Sequence, residues 1–309
     1  MQSAVIFTVI VSACVARILA NTCIGMDSAE TIMPAIPDKP KWAIVALVNK
    51  NADLTKRNQK LANALKPYAP KHDITVIMFS EHKMSPGKVQ QWEKDFDSVA
   101  TVVVQDTSSR KYLPPFPPYG YKYMCKFFAV DIYDYLKGYD YYLRCDHDCY
   151  IEKLNYDLLE YVQTKDVQYG FALRKLEAHG PTKQTLPTWA SDYNKRCDIK
   201  PTAVMDEPFS TCFNFYNNFH VGNVHFFRRP DVQHFLTAAN SSGHFQSHRW
   251  GDSTVQAYAV RNFMQPSKIR QLPDMVYIHG SHHAVISTFG DGSESDVPQR
   301  LRMWVTPSP

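Results

Sequence analysis

The segment that most restricts the fold is Trp42–Val48, seven consecutive apolar residues. A strand with no polar face must be covered on both sides, as strands inside a parallel sheet are. Asn51 or Asp53 then stands where it can cap a helix carrying Leu54, Leu61, Ala62 and Leu65 at helical spacing. Ile74–Phe79 reads as a second strand and Val99–Val104 as a third. Strand, helix and strand at these intervals predict βαβ units and a Rossmann-like half in an α/β domain.

Further along, Pro114–Gly120 is a proline-aromatic loop. A helix is predicted over Tyr121–Leu136, with Gly138 stopping it, and Tyr139–Arg144 returns as a strand. Asn155 is placed to cap a helix near Tyr156–Val162, and Val167–Leu173 reads as a strand. Arg174–Pro208 is polar and irregular and receives no assignment. His220–Phe227 reads as a strand, Asp231–Ala239 and Ser253–Phe263 as helices, and Val276–His279 as a last short strand. The tail after His283 is rich in Gly, Ser, Asp and Pro and reads as loosely held.

The chain has 309 residues, 44% of them hydrophobic, so a large core is available. A net charge of only +4, spread along the sequence, gives no basic stripe and argues against nucleic-acid binding. Ala4–Ala16 is almost wholly apolar but short for a bilayer span, which takes about 20 residues. It suits a signal-peptide core, with a short signal-anchor as the alternative. Residues 1–20 are therefore read as signal peptide or signal-anchor, 21–40 as a stem or linker, and 41–309 as the catalytic domain. Either reading places the rest in the secretory lumen or outside the cell. Beyond Cys14, six cysteines remain, an even number that permits disulfides without fixing their pairing. A zinc site around Cys145, His147 and Cys149 ranks below the acidic reading that follows, because no second pair stands at finger-like spacing. Asn240-Ser241-Ser242 is a glycosylation sequon if exposed.

The segment Tyr141–Asp148 runs an apolar strand straight into Asp146-His147-Asp148. In extended backbone, residues two apart face the same side, so both carboxylates would share a cleft. Their repulsion is relieved by a cation, and hard oxygen ligands suit Mg²⁺ or Mn²⁺. In open α/β sheets, ligands lie beyond the carboxyl ends of the strands. A metal there could neutralise a departing nucleoside diphosphate. An isolated Asp-x-Asp is more often a solvated turn; the strand in front of it raises the functional reading to parity. Asp252 precedes a helix and reads first as its N-cap, otherwise as a carboxylate that stabilises charge at an anomeric carbon. His279, His282 and His283 follow a short strand; one imidazole could complete a mixed N/O metal site, against the plainer reading of a polar surface loop. His220 reads equally as a base or as a core histidine.

Taken in order, these segments resemble glycosyltransferase family 15, the fungal α-1,2-mannosyltransferases. Tyr121-Lys122-Tyr123-Met124-Cys125-Lys126-Phe127 is similar to that family's Tyr-Arg-His-Met-Cys-Arg-Tyr. Tyr141–Asp148 is similar to its strand ending Glu-Pro-Asp, and Arg249-Trp250-Gly251-Asp252 matches its Arg-Trp-Gly-Asp. The resemblance runs from about Trp42 to His283. It implies a single GT-A-type Rossmann-like domain with a mixed, mostly parallel sheet flanked by helices. It also implies GDP-mannose as donor, a mannoside or glycoprotein glycan as acceptor, Mn²⁺ as cofactor, and retention of anomeric configuration. By similarity, Asp148 and His279 would hold the metal, Tyr121, Arg144 and Asp146 the donor, and Asp252 would be the essential acid. One departure stands out: the family has Asn-Phe-Glu where this chain has Asn218-Phe219-His220. A histidine supplies no carboxylate for a covalent intermediate. His220 is then expected to orient the acceptor or polarise its hydroxyl in a front-face reaction. The alternatives are a catalytically impaired relative that binds sugar nucleotide or glycan and, more weakly, a hydrolase of the sugar nucleotide.

Overall fold

The computed structural model describes residues 23, 33–49, 53–104, 119–203, 207–273, 275–280 and 286–287. The apolar leader, most of the stem, Asn51, most of the proline-aromatic loop, His282, His283 and the tail lie outside the described residues.

Its strands are β1 (Lys41–Leu47), β2 (Asp73–Ser80), β3 (Val99–Val103), β4 (Tyr141–Cys145), β5 (Cys149–Leu154), β6 (Tyr169–Phe171), β7 (Arg174–Leu176), β8 (Phe213–Phe215), β9 (Phe219–Asn223), β10 (Ile269–Gln271), β11 (Met275–His279) and β12 (Ile286–Ser287). The main sheet runs β10-β6-β9-β4-β1-β2-β3. Pairings among β4, β1, β2 and β3 are parallel, as is β10 with β6; β9 lies antiparallel between β4 and β6. A three-stranded sheet β12-β11-β5 and a hairpin β7-β8 stand beside it.

Why β1 is apolar from Trp42 onward follows from its surroundings. Ala43 and Val45 enter one core with Phe79, Phe127 and Tyr142, whereas Trp42, Ile44 and Ala46 enter the other with Leu61, Met78 and Leu143. Both faces are covered, so alternation would have placed polar groups in a core. The mixed, mostly parallel α/β sheet read from the sequence is the one observed.

Several local readings change. The first helix is Thr55–Leu65, and Asp53 Oδ1 accepts the Thr55 N–H at 2.9 Å. The helix predicted from Tyr121 starts at Tyr119 and passes through a π turn, Phe127–Asp131, before ending at Tyr135. That wider turn buries Phe127 and Phe128. Asp157, not Asn155, caps the next helix, Leu158–Thr164, by accepting the Glu160 N–H. The stretch left unassigned contains a 17-residue helix, Gly180–Arg196, capped by His179. Its interior Pro187 and weak apolar periodicity hid it; burial of Leu186, Ala190 and Tyr193 holds it. The strand expected over His220–Phe227 divides into β9 and a short helix, Val224–Phe227, capped by Asn223. The sequon Asn240 lies in the helix Pro230–Ser241, half-buried.

Cys23 and Cys197 form a disulfide, while Cys125, Cys145, Cys149 and Cys212 are buried thiols. The Cys145 thiol points to the Cys149 carbonyl at 3.6 Å, and burial raises both thiols above their ordinary range. Among the described residues Cys145, His147 and Cys149 do not bring their ligand atoms together into one group that could hold an ion, so the zinc reading is not what this geometry offers.

Candidate active site

A cavity of ≈ 760 Å³ opens beyond the carboxyl ends of β1, β2 and β4. Its lining includes Tyr121, Arg144, Asp146, Asp148, Asp252 and His279. Six of the seven site residues read from the sequence are thus brought to one cleft.

At its mouth, Asp148 Oδ2 lies 3.3 Å from His279 Nε2. The pairing of β11 with β5 puts His279 opposite Cys149, next to Asp148. Gly280 then turns with φ +47°, and its N–H bonds to the Asp148 carbonyl at 2.9 Å. A Cβ at Gly280 would stand 3.3 Å from Asp148 Oδ2 in a backbone conformation unfavourable to L-residues, so glycine is needed here. Histidine opposite it holds the Asp148 carboxyl down at about 2, against the effect of burial.

His279 Nδ1 meets the Tyr216 hydroxyl at 2.6 Å. Nε2–H donates to Asp148 while Nδ1 accepts from the Tyr216 hydroxyl; a cation at Nε2 would take the other tautomer, with the proton on Nδ1 donated to Tyr216, as the second nitrogen of a ligating histidine is commonly held. Asp148, Cys149 and His279 offer ligand atoms within 4.8 Å of one another. The Cys149 thiol, driven up by burial, instead makes weak contacts with Asp148 Oδ1 and Tyr277. One carboxylate and one imidazole fit a hard or borderline divalent cation such as Mn²⁺.

The expected extended Asp-His-Asp is a tight turn, in which the Cys149 N–H bonds to the Asp146 carbonyl at 3.0 Å. The two carboxylates still line one cavity but have different partners. Asp146 receives Arg144 Nε at 2.7 Å and Nη2 at 3.0 Å, a bidentate pair. Burial works to raise the Asp146 carboxyl and Arg144 works to lower it. Two-point hydrogen bonding to a guanidinium identifies the ionised form.

Arg144 is the centre of the floor. Its Nη1 bonds to Asp252, and its guanidinium carbon lies 3.5 Å from the centre of the Phe128 ring. Burial disfavours the cation, but Asp146 and Asp252 outweigh it and hold the group charged. Asp252 is the first residue of the helix Asp252–Phe263, whose cap is Gly251; the N-cap reading of Asp252 therefore fails. Its Oδ2 also accepts from Asn217 Nδ2 at 2.7 Å. Just upstream, Arg249 has φ +52° and stacks 4.4 Å over the Tyr121 ring. Burial raises the Tyr121 phenol, which stays neutral.

His220 lies elsewhere. Its ring is 0% exposed and is not among the cavity-lining residues. Nδ1 meets the Asn217 carbonyl at 2.8 Å, which can only accept, so Nδ1 carries the proton. Nε2 then accepts from the Tyr142 hydroxyl at 3.0 Å. Gly222 allows this, because a Cβ there would run into the Tyr142 ring at 2.4 Å. Burial first, then Arg144, pulls the His220 pKa to about 3. Both nitrogens are engaged away from the cleft, so the role expected of His220, polarising an acceptor hydroxyl, would require one of these bonds to be released.

The model of a family described as glycolipid 2-alpha-mannosyltransferase matches residues 71–287, more than half of the sequence. The chain belongs to this mannosyltransferase family. Relatives include a probable mannosyltransferase of Candida albicans, MNT3, 27% identical over 176 residues, which are 52% of this chain and 46% of the relative. The glycolipid 2-alpha-mannosyltransferase of Saccharomyces cerevisiae is 24% identical over 231 residues, 68% of this chain and 50% of that protein. The chain thus spans about half the length of these relatives. The fold of the family is seen in the S. cerevisiae mannosyltransferase Ktr4p in complex with GDP (TM-score 0.67, 17% identity, 95% of this chain and 87% of that one). It is seen again in core-mannan synthase A of Aspergillus fumigatus in its Mn/GDP form (TM-score 0.55, 17% identity, 79% and 76%). These likenesses establish a GT-A-type fold.

Sequence reasoning missed the part of the lining formed by Lys175, Glu177, Asn214, Tyr216, Asn217 and Asn218. Its only signal was a run of amide and aromatic residues just before β9. The sequence showed neither that β7 and β8 supply residues to the cleft nor that Tyr216 reaches His279.

Proposed function

We propose that this chain is a retaining glycosyltransferase that moves mannose from GDP-mannose to a glycan or glycoprotein acceptor and forms an α-1,2 linkage. Mn²⁺, held by Asp148 and His279, is the proposed cofactor. The observation that carries the reading is the Asp148–His279 pair, 3.3 Å apart, at the mouth of a cavity whose floor is the Arg144–Asp252 ion pair. Family membership and the fold shared with GDP-bound relatives support it.

When bound, the cation would offset the negative charge of the diphosphate leaving group. The chain's own residues do the rest. Tyr216 holds the His279 tautomer. Arg144 fixes the Asp146 and Asp252 carboxylates by ion pairs, so Asp252 faces the cleft where an oxocarbenium-like centre would develop. Position 220 offers no carboxylate and no free nitrogen lone pair. Retention would then follow from attack on the same face that the phosphate leaves, with Asp252 stabilising the charge. The Cys23–Cys197 disulfide supports an oxidising compartment. We place the protein in the secretory pathway, either in the Golgi lumen as a type II membrane protein or secreted. Among the described residues no helix is long and apolar enough to cross a membrane.

The test is a donor screen with Mn²⁺ and a panel of mannosides, read as GDP release and product mass. GDP-mannose should be consumed only with metal. Equal turnover in excess chelator would overturn the proposal. The silent relative that His220 brings to mind would bind GDP and yield no product.

A further inference from the structure

Four helices leave by the same turn. Asp166, Asp198, Gly243 and Arg249 are each the second residue past a helix, and each has a left-handed backbone, with φ of +51°, +51°, +74° and +52°. Glycine takes this conformation without steric cost, and aspartate takes it more readily than most residues. Arginine does not, and a helix exit of this kind asks nothing of a long side chain. What arginine adds at position 249 is its guanidinium.

The exit itself is held by other groups. The Trp250 N–H bonds to the His244 carbonyl at 3.3 Å, the Arg249 carbonyl accepts from Thr182 Oγ1 at 3.1 Å, and the Trp250 indole N–H reaches Thr185 Oγ1 at 2.8 Å. None of these bonds uses the Arg249 side chain. Its guanidinium carbon lies 4.4 Å from the centre of the Tyr121 ring, and among the described residues Arg249 forms no salt bridge. The Tyr121 hydroxyl meets the buried Cys125 thiol, one helical turn further on. Tyr121 lines the cavity, whereas Arg249 does not. The guanidinium therefore meets the ring without itself entering the lining. Three residues on, Asp252 takes Arg144 on the floor. One short segment thus sets both an aromatic wall and a carboxylate of the cleft.

We propose that Arg249 is a positioning residue of the transfer site: its left-handed backbone carries the guanidinium over Tyr121 and holds that ring as a wall of the cleft. It acts on the donor through Tyr121 and touches no substrate itself. This rests on the glycosyltransferase reading above. The experiment is a double-mutant cycle on Mn²⁺-dependent transfer from GDP-mannose to methyl α-mannoside, with urea unfolding of every variant. In Arg249→Gly the unfolding midpoint should hold or rise, because glycine suits the backbone. Its kcat/KM for GDP-mannose should nevertheless fall by about five- to tenfold, the size of a partly desolvated cation–π contact. Arg249→Lys keeps a cation but not a plane that stacks, and should recover part of the loss. In a Tyr121→Leu background, Arg249→Gly should change kcat/KM by less than about twofold, since the residue it acts through is gone. If Tyr121→Leu transfers too slowly to measure, calorimetric affinity for GDP-mannose with Mn²⁺ supplies the same cycle. The inference falls if Arg249→Gly stays within about twofold of wild type, or if the losses from the two substitutions multiply. It also falls if the glycine variant loses stability along with activity, which would assign the side chain to the fold. A wild type that turns over no GDP-mannose with Mn²⁺ would instead sink the glycosyltransferase reading, and this inference with it.

Discussion

Asp148 and Asp252 are carboxylates of one cleft under opposite conditions. The Asp148 side chain is 43% exposed, sits on a turn, and faces an imidazole across 3.3 Å. The Asp252 side chain is 5% exposed and already takes Arg144 and Asn217. Water can replace what Asp148 loses, so that rim tolerates change and remains available to a cation. Nothing can replace what Asp252 loses, so the floor holds its shape and passes that rigidity to the cleft. The division separates residues whose loss should remove chemistry from residues whose loss should also remove fold.

The sharpest way to break this comparison is Asp148→Ala. Transfer from GDP-mannose should fall by about 10³-fold or more, since metal stabilisation of a leaving group contributes several kcal/mol. Thermal denaturation should scarcely move, because a pair this exposed contributes about 1 kcal/mol at most. A large loss of stability with only mild loss of activity would reverse the two roles.

Asp252→Ala is the matching test of the floor. Leaving the buried Arg144 without one partner should cost about 3–5 kcal/mol in urea unfolding, with activity lost as well. A variant as stable as wild type would show that Asp146 alone neutralises Arg144.

Tyr142→Phe probes the floor one layer deeper. It leaves His220 Nε2 without a donor and should cost about 1–3 kcal/mol, while Mn²⁺-dependent GDP affinity stays unchanged. Lost GDP affinity in a stable variant would mean that His220 communicates with the cleft.

Acid reaches the same buried layer by titration. The His220 pKa is lowered from 6.5 to about 3 in the folded protein, so between those values the unfolded chain binds the extra proton. Stability therefore rises with pH across this window. The contribution is complete above 6.5 and is lost as pH falls toward 3. In His220→Gln the decline of unfolding free energy from neutral pH to about pH 4 should be shallower. Identical slopes would count against a neutral buried imidazole.

Legibility followed the same division. The acidic turn and Arg249–Asp252 carry recognisable residues at short spacing, so both carboxylates, Asp148 at the rim and Asp252 on the floor, were picked out from the sequence. His220 was also singled out, but the choice between a base and a core histidine depends on what meets its two nitrogens. Those partners are Tyr142, 78 positions away, and a backbone carbonyl. Asn218 was passed over, since an amide in a polar segment has no signature until its surroundings are shown to be closed.

Local order fixed the apolar strands, the helices between them and the mostly parallel α/β sheet, because strand burial and helical periodicity are written in consecutive residues. Only tertiary structure decided that β11 pairs with β5 and delivers His279 to Asp148, that Arg144 spans Asp146 and Asp252, and that His220 is sealed beneath them. Each of these depends on contacts between segments far apart in the chain. Their energies come from burial and from the partners met there, quantities that no short stretch of sequence contains.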